Sequence, residues 1–119
     1  MNLVLKEKKD VYGIGLEESE YDAKYHYELE NYFKKEIELG IKERIITRKG
    51  TKFVYPHKNL EYRFLPEEFF SPTQTLIFSN YITIQSFQNN ATIIIKSKSL
   101  ADSYIKHFNH LWGIAEKRA

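Results

Sequence analysis

The sequence predicts an α/β domain built on a single mixed β-sheet, with a crossover helix near its N-terminus and an amphipathic helix closing the chain. Three observations predict it. A short strand-like segment ends in glycine just before a long helical stripe. β-branched and aromatic segments then alternate with polar turns. The final segment returns to helical spacing.

Residues 10–16 alternate apolar and small side chains and end at Gly15 and Leu16, as a strand feeding a turn does. Ser19-Glu20-Tyr21-Asp22 then fits a capping box, in which a hydroxyl and a carboxylate three residues on satisfy free N–H groups at a helix start. Tyr21, Tyr25, Leu29, Tyr32, Phe33 and Ile37 recur at helical spacing. Glu28, Glu30, Lys34, Lys35 and Glu38 fall on a charged face, and Gly40 supplies a C-terminal cap.

Residues 41–47 and 60–65 read as two further strands, separated by a loop carrying Gly50 and Pro56. Residues 75–78, 81–87 and 91–96 are rich in Ile, Thr, Tyr and Phe and are joined by Ser79-Asn80 and Asn89-Asn90, so they predict an antiparallel meander. Ser99-Leu100-Ala101-Asp102 is a second capping box. Behind it Leu100, Ala101, Tyr104, Ile105, Phe108, Leu111, Trp112 and Ala115 trace one broad apolar face. The expected topology is a right-handed parallel pair through the first helix, with every later strand antiparallel.

At 119 residues and 42% hydrophobic content, the chain has the size and core of one domain, expected over residues 10–119. Residues 1–9 are expected to be the end of a linker helix or a ragged terminus. Eighteen Lys and Arg against sixteen Asp and Glu leave a charge of +2, far from the balance of a dedicated nucleic-acid binder. The absence of cysteine excludes a disulfide framework, a thiol nucleophile and a Cys-containing zinc site, and fits a cytoplasmic setting. The N-terminus has no secretory pattern, and no stretch reaches the roughly 18 apolar residues that span a bilayer, so no membrane partner is expected.

No cofactor, metal site or catalytic set is expected. Gly13-Ile14-Gly15 lacks the third glycine of a dinucleotide fingerprint, and Glu17-Glu18 would repel phosphate. His107 and His110 are three apart but lack further ligands, and read, with His26 and His57, as solvated or interface residues. Glu67-Glu68 reads as solvated carboxylates. The basic loop of Arg48, Lys49, Lys52 and Lys58, interleaved with Phe53 and Tyr55, is the only patch resembling a nucleic-acid surface. Arg44 and Arg63 differ, because each lies in an apolar strand pattern where a guanidinium needs a carboxylate, a carbonyl or a ligand.

Three stretches carry a family resemblance: Val11-Tyr12-Gly13-Ile14-Gly15; Glu61-Tyr62-Arg63-Phe64-Leu65-Pro66 with Pro72 and Thr75-Leu76-Ile77-Phe78; and Ser99-Leu100-Ala101 through Phe108-Asn109-His110-Leu111-Trp112. Together they resemble the C-terminal effector domain of TrmB-like, chiefly archaeal, transcriptional regulators, a domain similar to half of a phospholipase D fold. The resemblance implies a ligand- or assembly-sensing domain that reaches DNA only through a separate winged helix, for which this sequence has no pattern. Phospholipase D enzymes use His-x-Lys with a later Asp. Here the residues two beyond the histidines are Glu28, Asn59, Asn109 and Trp112, so that chemistry has no place.

The expected function is therefore an effector-sensing or dimerisation domain of a transcriptional regulator, not an enzyme. A small-molecule effector would sit near Tyr12, Gly15, Arg44 and Arg63. A homodimer would form through Tyr104, Phe108 and Trp112. The alternative is a stand-alone protein–protein interaction module.

Overall fold

The computed structural model describes residues 2–15, 19–51, 54–86, 88–89 and 91–118, with the backbone alone for residues 2 and 19–26. Its elements are α1 (Asn2–Glu7), β1 (Val11–Ile14), α2 (Ser19–Leu39), β2 (Glu43–Arg48), β3 (Leu60–Leu65), β4 (Thr73–Phe78), β5 (Tyr81–Ser86), β6 (Ala91–Lys96) and α3 (Lys98–Ile114). A 3-10 turn, Glu67–Phe69, leads from β3 toward β4.

The six strands form one sheet in the order β3-β2-β1-β4-β5-β6. β1 and β2 are parallel, joined through α2. β4, β5 and β6 form the expected antiparallel meander, and β1 runs antiparallel to β4. One expectation fails: β3 lies parallel to β2, not antiparallel. The intervening loop is long enough to return the chain to the same end of the sheet, so no hairpin is imposed.

The two faces bury separate apolar layers. Tyr12 and Ile77 lie opposite one another across β1 and β4, on the face that α3 covers. There Ile46, Leu65, Ile77, Ile82, Ala101, Phe108 and Trp112 make the larger core. Val11 and Phe78 point the other way and pack with Val4 of α1, Ile41 and Tyr32 of α2. In α2 the described part of the stripe points inward as its spacing requires, with Leu29 and Phe33 buried.

The cap of α3 lies two residues before the expected one. Ser97 is the N-cap, its hydroxyl accepting from the Leu100 N–H at 3.2 Å, while Ser99 lies in the first turn and Asp102 pairs with Lys98 at 2.9 Å. Ser97 has the extended backbone a cap needs. The earlier capping pair, Ser19 with Asp22, lies outside the described side chains. Gly15, at φ +80°, ends β1; a Cβ there would stand 2.5 Å from the Thr73 carbonyl oxygen, so only glycine fits.

Candidate functional site

The residues expected to bind a ligand do not converge. Tyr12 and Arg44 are register partners on β1 and β2 and line a polar groove with Asp10, Lys42, Lys58 and Glu61. Gly15 sits at the other end of the same strands, beside Thr47, Arg48 and Ser71. Arg63 has a structural employment: its Nη1 donates to the Trp112 carbonyl oxygen at 2.6 Å, and its guanidinium lies 4.4 Å from the indole centroid. That carbonyl belongs to the last turn of α3, where the helix dipole favours a cation. Arg44 approaches the same ring at 5.5 Å from its exposed position.

The aromatic residues expected at an interface are mostly internal. Phe108 is fully buried and meets Tyr12 edge-on at 5.2 Å, and Trp112 stacks beside Phe108 at 5.7 Å. Of the three, only Tyr104 remains on the surface. His57 also departs from expectation, packing against Phe33 at 5.2 Å with Nε2 3.3 Å from Glu30. His107 and His110 are exposed. In the basic loop, Lys49 pairs with Glu116 at 2.8 Å and Tyr55 packs on Phe33, while Lys52 and Phe53 lie outside the described residues.

The most unusual chemistry lies under α1 and α2, among residues the sequence reading passed over. Glu36 of α2 and Glu43 of β2 are both buried and hydrogen-bonded to each other, with the Tyr32 phenol bonded to both. Asn59 donates from Nδ2 to Glu36 Oε1 and to the Ile41 carbonyl, each at 3.2 Å. Glu36 Oε2 and Glu43 Oε2 have no hydrogen-bond partner. Burial is the largest influence on all three acids and pushes each toward its protonated form; for Glu36 and Tyr32 a neighbouring carboxylate adds to the effect. Two carboxyls in contact away from water hold at least one proton between them.

Both glutamates were legible in principle. Glu36 falls four residues after Tyr32 and three after Phe33, on the inward stripe, and Glu43 takes an inward position between Ile41 and Ile45. A charge at an apolar position is the signal.

Glu43 opens onto a cavity of about 290 Å³ between the helices and the sheet. Leu3 and Val4 of α1, Leu29 and Phe33 of α2, Leu76 and Phe78 of β4, and Ile94 of β6 make it largely apolar. Glu43 also borders the Tyr12–Arg44 groove, so one carboxylic acid stands between the two depressions. Among the described residues no group of His, Cys, Asp and Glu has the arrangement of a metal site, and no helix is long and apolar enough to cross a membrane.

No protein-family model matches the sequence, and no curated protein matches it. Among solved structures, the fold is similar to that of TrmBL2, described as an archaeal chromatin protein with a novel mode of DNA binding. The TM-score is 0.60 at 16% identity, over 98% of this chain and 48% of that one. The chain thus spans about half the length of its structural neighbour, and the likeness is one of fold.

Proposed function

We propose that this domain is the non-catalytic, effector-sensing part of a TrmB-like transcriptional regulator, and that the effector occupies the cavity beneath α1 and α2. The observation that carries this reading is Glu43, a buried carboxylic acid with an unpartnered Oε2 in the wall of a largely apolar cavity that α1 also lines. An unsatisfied buried polar atom costs about 1–3 kcal/mol, and a ligand donor that satisfies it recovers that energy on binding. The complementary molecule is small, apolar along its body and tipped with an ammonium or other N–H donor, which also compensates the charge released when the carboxyl pair loses its proton.

Signal transfer follows from the wall. A ligand against Leu3 and Val4 changes the seating of α1, the segment that the family resemblance equates with the end of the linker to a winged helix. DNA is then reached only through that other domain, and the response is the difference in ligand affinity between two seatings of α1. Support for a non-catalytic role comes from the histidines, none of which precedes a lysine by two residues.

A thermal-shift series with phenethylamine, hexylamine and their alcohol and carboxylate counterparts tests the reading. The amines should raise the melting temperature, since saturation at 100 times Kd adds about 2.7 kcal/mol to the native state. The alcohols and carboxylates should do so less, and Glu43→Gln and the cavity-filling Leu76→Trp should each weaken the amine effect. An amine shift of equal size in both variants, or none in the wild type, would remove the cavity as the sensing site.

A further inference from the structure

We propose that two copies of this chain pair edge to edge through β6, antiparallel about a two-fold axis at Ile94, joining their sheets into one. β6 is the terminal strand of the sheet, and its centre is the β-branched run Thr92-Ile93-Ile94-Ile95. Ile93 and Ile94 are 56% and 60% exposed, on opposite faces of the strand. A regular apolar edge with free backbone groups is a template for another strand.

The other end of the sheet is managed differently. On β3, Phe64 exchanges backbone hydrogen bonds of 2.7 and 2.8 Å with Glu116, whose side chain pairs with Lys49. The C-terminal segment thus caps that edge at Phe64. β6 has no such cover among the described residues, and pairing through one bare edge closes a dimer instead of a fibre.

The register suits a second copy as the partner. The Ser97 N–H donates to the Asn80 carbonyl at 2.8 Å, and the β5–β6 ladder continues unbroken from Tyr81↔Lys96 to Ser86↔Ala91. Alternation then turns the backbone groups of Ile93 and Ile95 toward β5 and those of Thr92, Ile94 and Lys96 outward. With the axis at Ile94, that residue meets its own copy, and Thr92 meets Lys96 of the second copy. Every outward donor and acceptor of the three residues is satisfied, and no like charges face each other. On the α3 side, Ile93 meets Ile95 of the second copy, extending the apolar layer that already holds Ile95.

This surface replaces α3 as the dimer contact, because Phe108 and Trp112 belong to the core. It is independent of the effector reading, although Thr92 and Ile94 also line the cavity, so the two features meet at these two residues.

Light scattering over a concentration series should show a species of twice the 14.2 kDa protomer mass, growing with concentration. Ile94→Pro removes one outward N–H at an edge position where proline is tolerated, and Ile94→Lys places like charges at the axis. Both should keep the far-UV circular dichroism of the wild type and remain monomeric. Because the chain has no cysteine, Ile94→Cys should cross-link to itself on oxidation, whereas Thr92→Cys should not. A wild type that stays monomeric at its solubility limit overturns the proposal, as do dimeric Ile94→Pro and Ile94→Lys proteins. Cross-linking of Thr92→Cys as strong as that of Ile94→Cys overturns the register.

Discussion

Arg63 closes the C-terminal end of α3 by donating to the Trp112 carbonyl oxygen at 2.6 Å while its guanidinium rests on the Trp112 indole. One side chain from an edge strand thereby ties the last helix to the sheet. Arg63→Ala should lose about 2 kcal/mol of stability, the sum expected of a charged hydrogen bond and a partly desolvated cation–π contact. Arg63→Lys should recover only part of it, since an ammonium cannot make both contacts in one plane. Arg44→Ala, at an exposed position, should stay within about 0.5 kcal/mol of the wild type. Urea denaturation of the three variants checks the order; equal losses at Arg44 and Arg63 would contradict it.

The buried acids set a pH dependence with a definite sign. Glu36 is pushed up to about 10, from an ordinary value of 4.5. In that window the folded protein holds a proton that the unfolded chain has released. The contribution is therefore fully present below about pH 4.5 and is lost as pH rises, at up to about 1.4 kcal/mol per pH unit for one proton. Glu36→Gln removes this titration. Its melting temperature should fall less than that of the wild type between about pH 6 and about pH 9, and parallel curves for the two proteins would refute the assignment.

Two glycines should respond oppositely to alanine. Gly15→Ala forces a left-handed backbone and a Cβ against the Thr73 carbonyl, at a cost of about 2 kcal/mol or more. Gly113 lies in α3 with open space around its Cα, so Gly113→Ala should stabilise by about 0.5–1 kcal/mol. Thermal melts of the pair provide the comparison, and a tolerated Gly15→Ala would show that the close approach to β4 yields easily.

Ser97 and Ser99 separate a true cap from its look-alike. Ser97→Ala should cost about 1 kcal/mol, because the Leu100 N–H loses its acceptor. Ser99→Ala should cost much less. The reverse order in denaturant titrations would restore the start of α3 to Ser99.

The elements were readable because each depends on local periodicity. The Tyr-rich stripe of α2, the Asn-punctuated meander and the apolar face of α3 all repeat at the spacing their backbones impose. Cap position was less readable, since Ser97 and Ser99 are chemically equivalent until the backbone selects one. The parallel pairing of β3 was not readable at all, because the sequence of residues 49–59 has no helical spacing to announce a crossover. That Arg63 needs a partner was readable, but not which one it uses, a backbone carbonyl 49 residues away.

The sequence by itself therefore determined an α/β sheet domain, its strand and helix order, and the lack of a His-x-Lys site, all properties of neighbours along the chain. Tertiary structure alone decided which aromatic residues are core and which surface, because burial of Phe108 and Trp112 depends on where α3 lands on the sheet. It also turned two glutamates, seven positions apart on different elements, into one proton-sharing pair beside a cavity. A carboxyl on an apolar stripe is visible in a sequence; that a second one meets it away from water is a fact of packing.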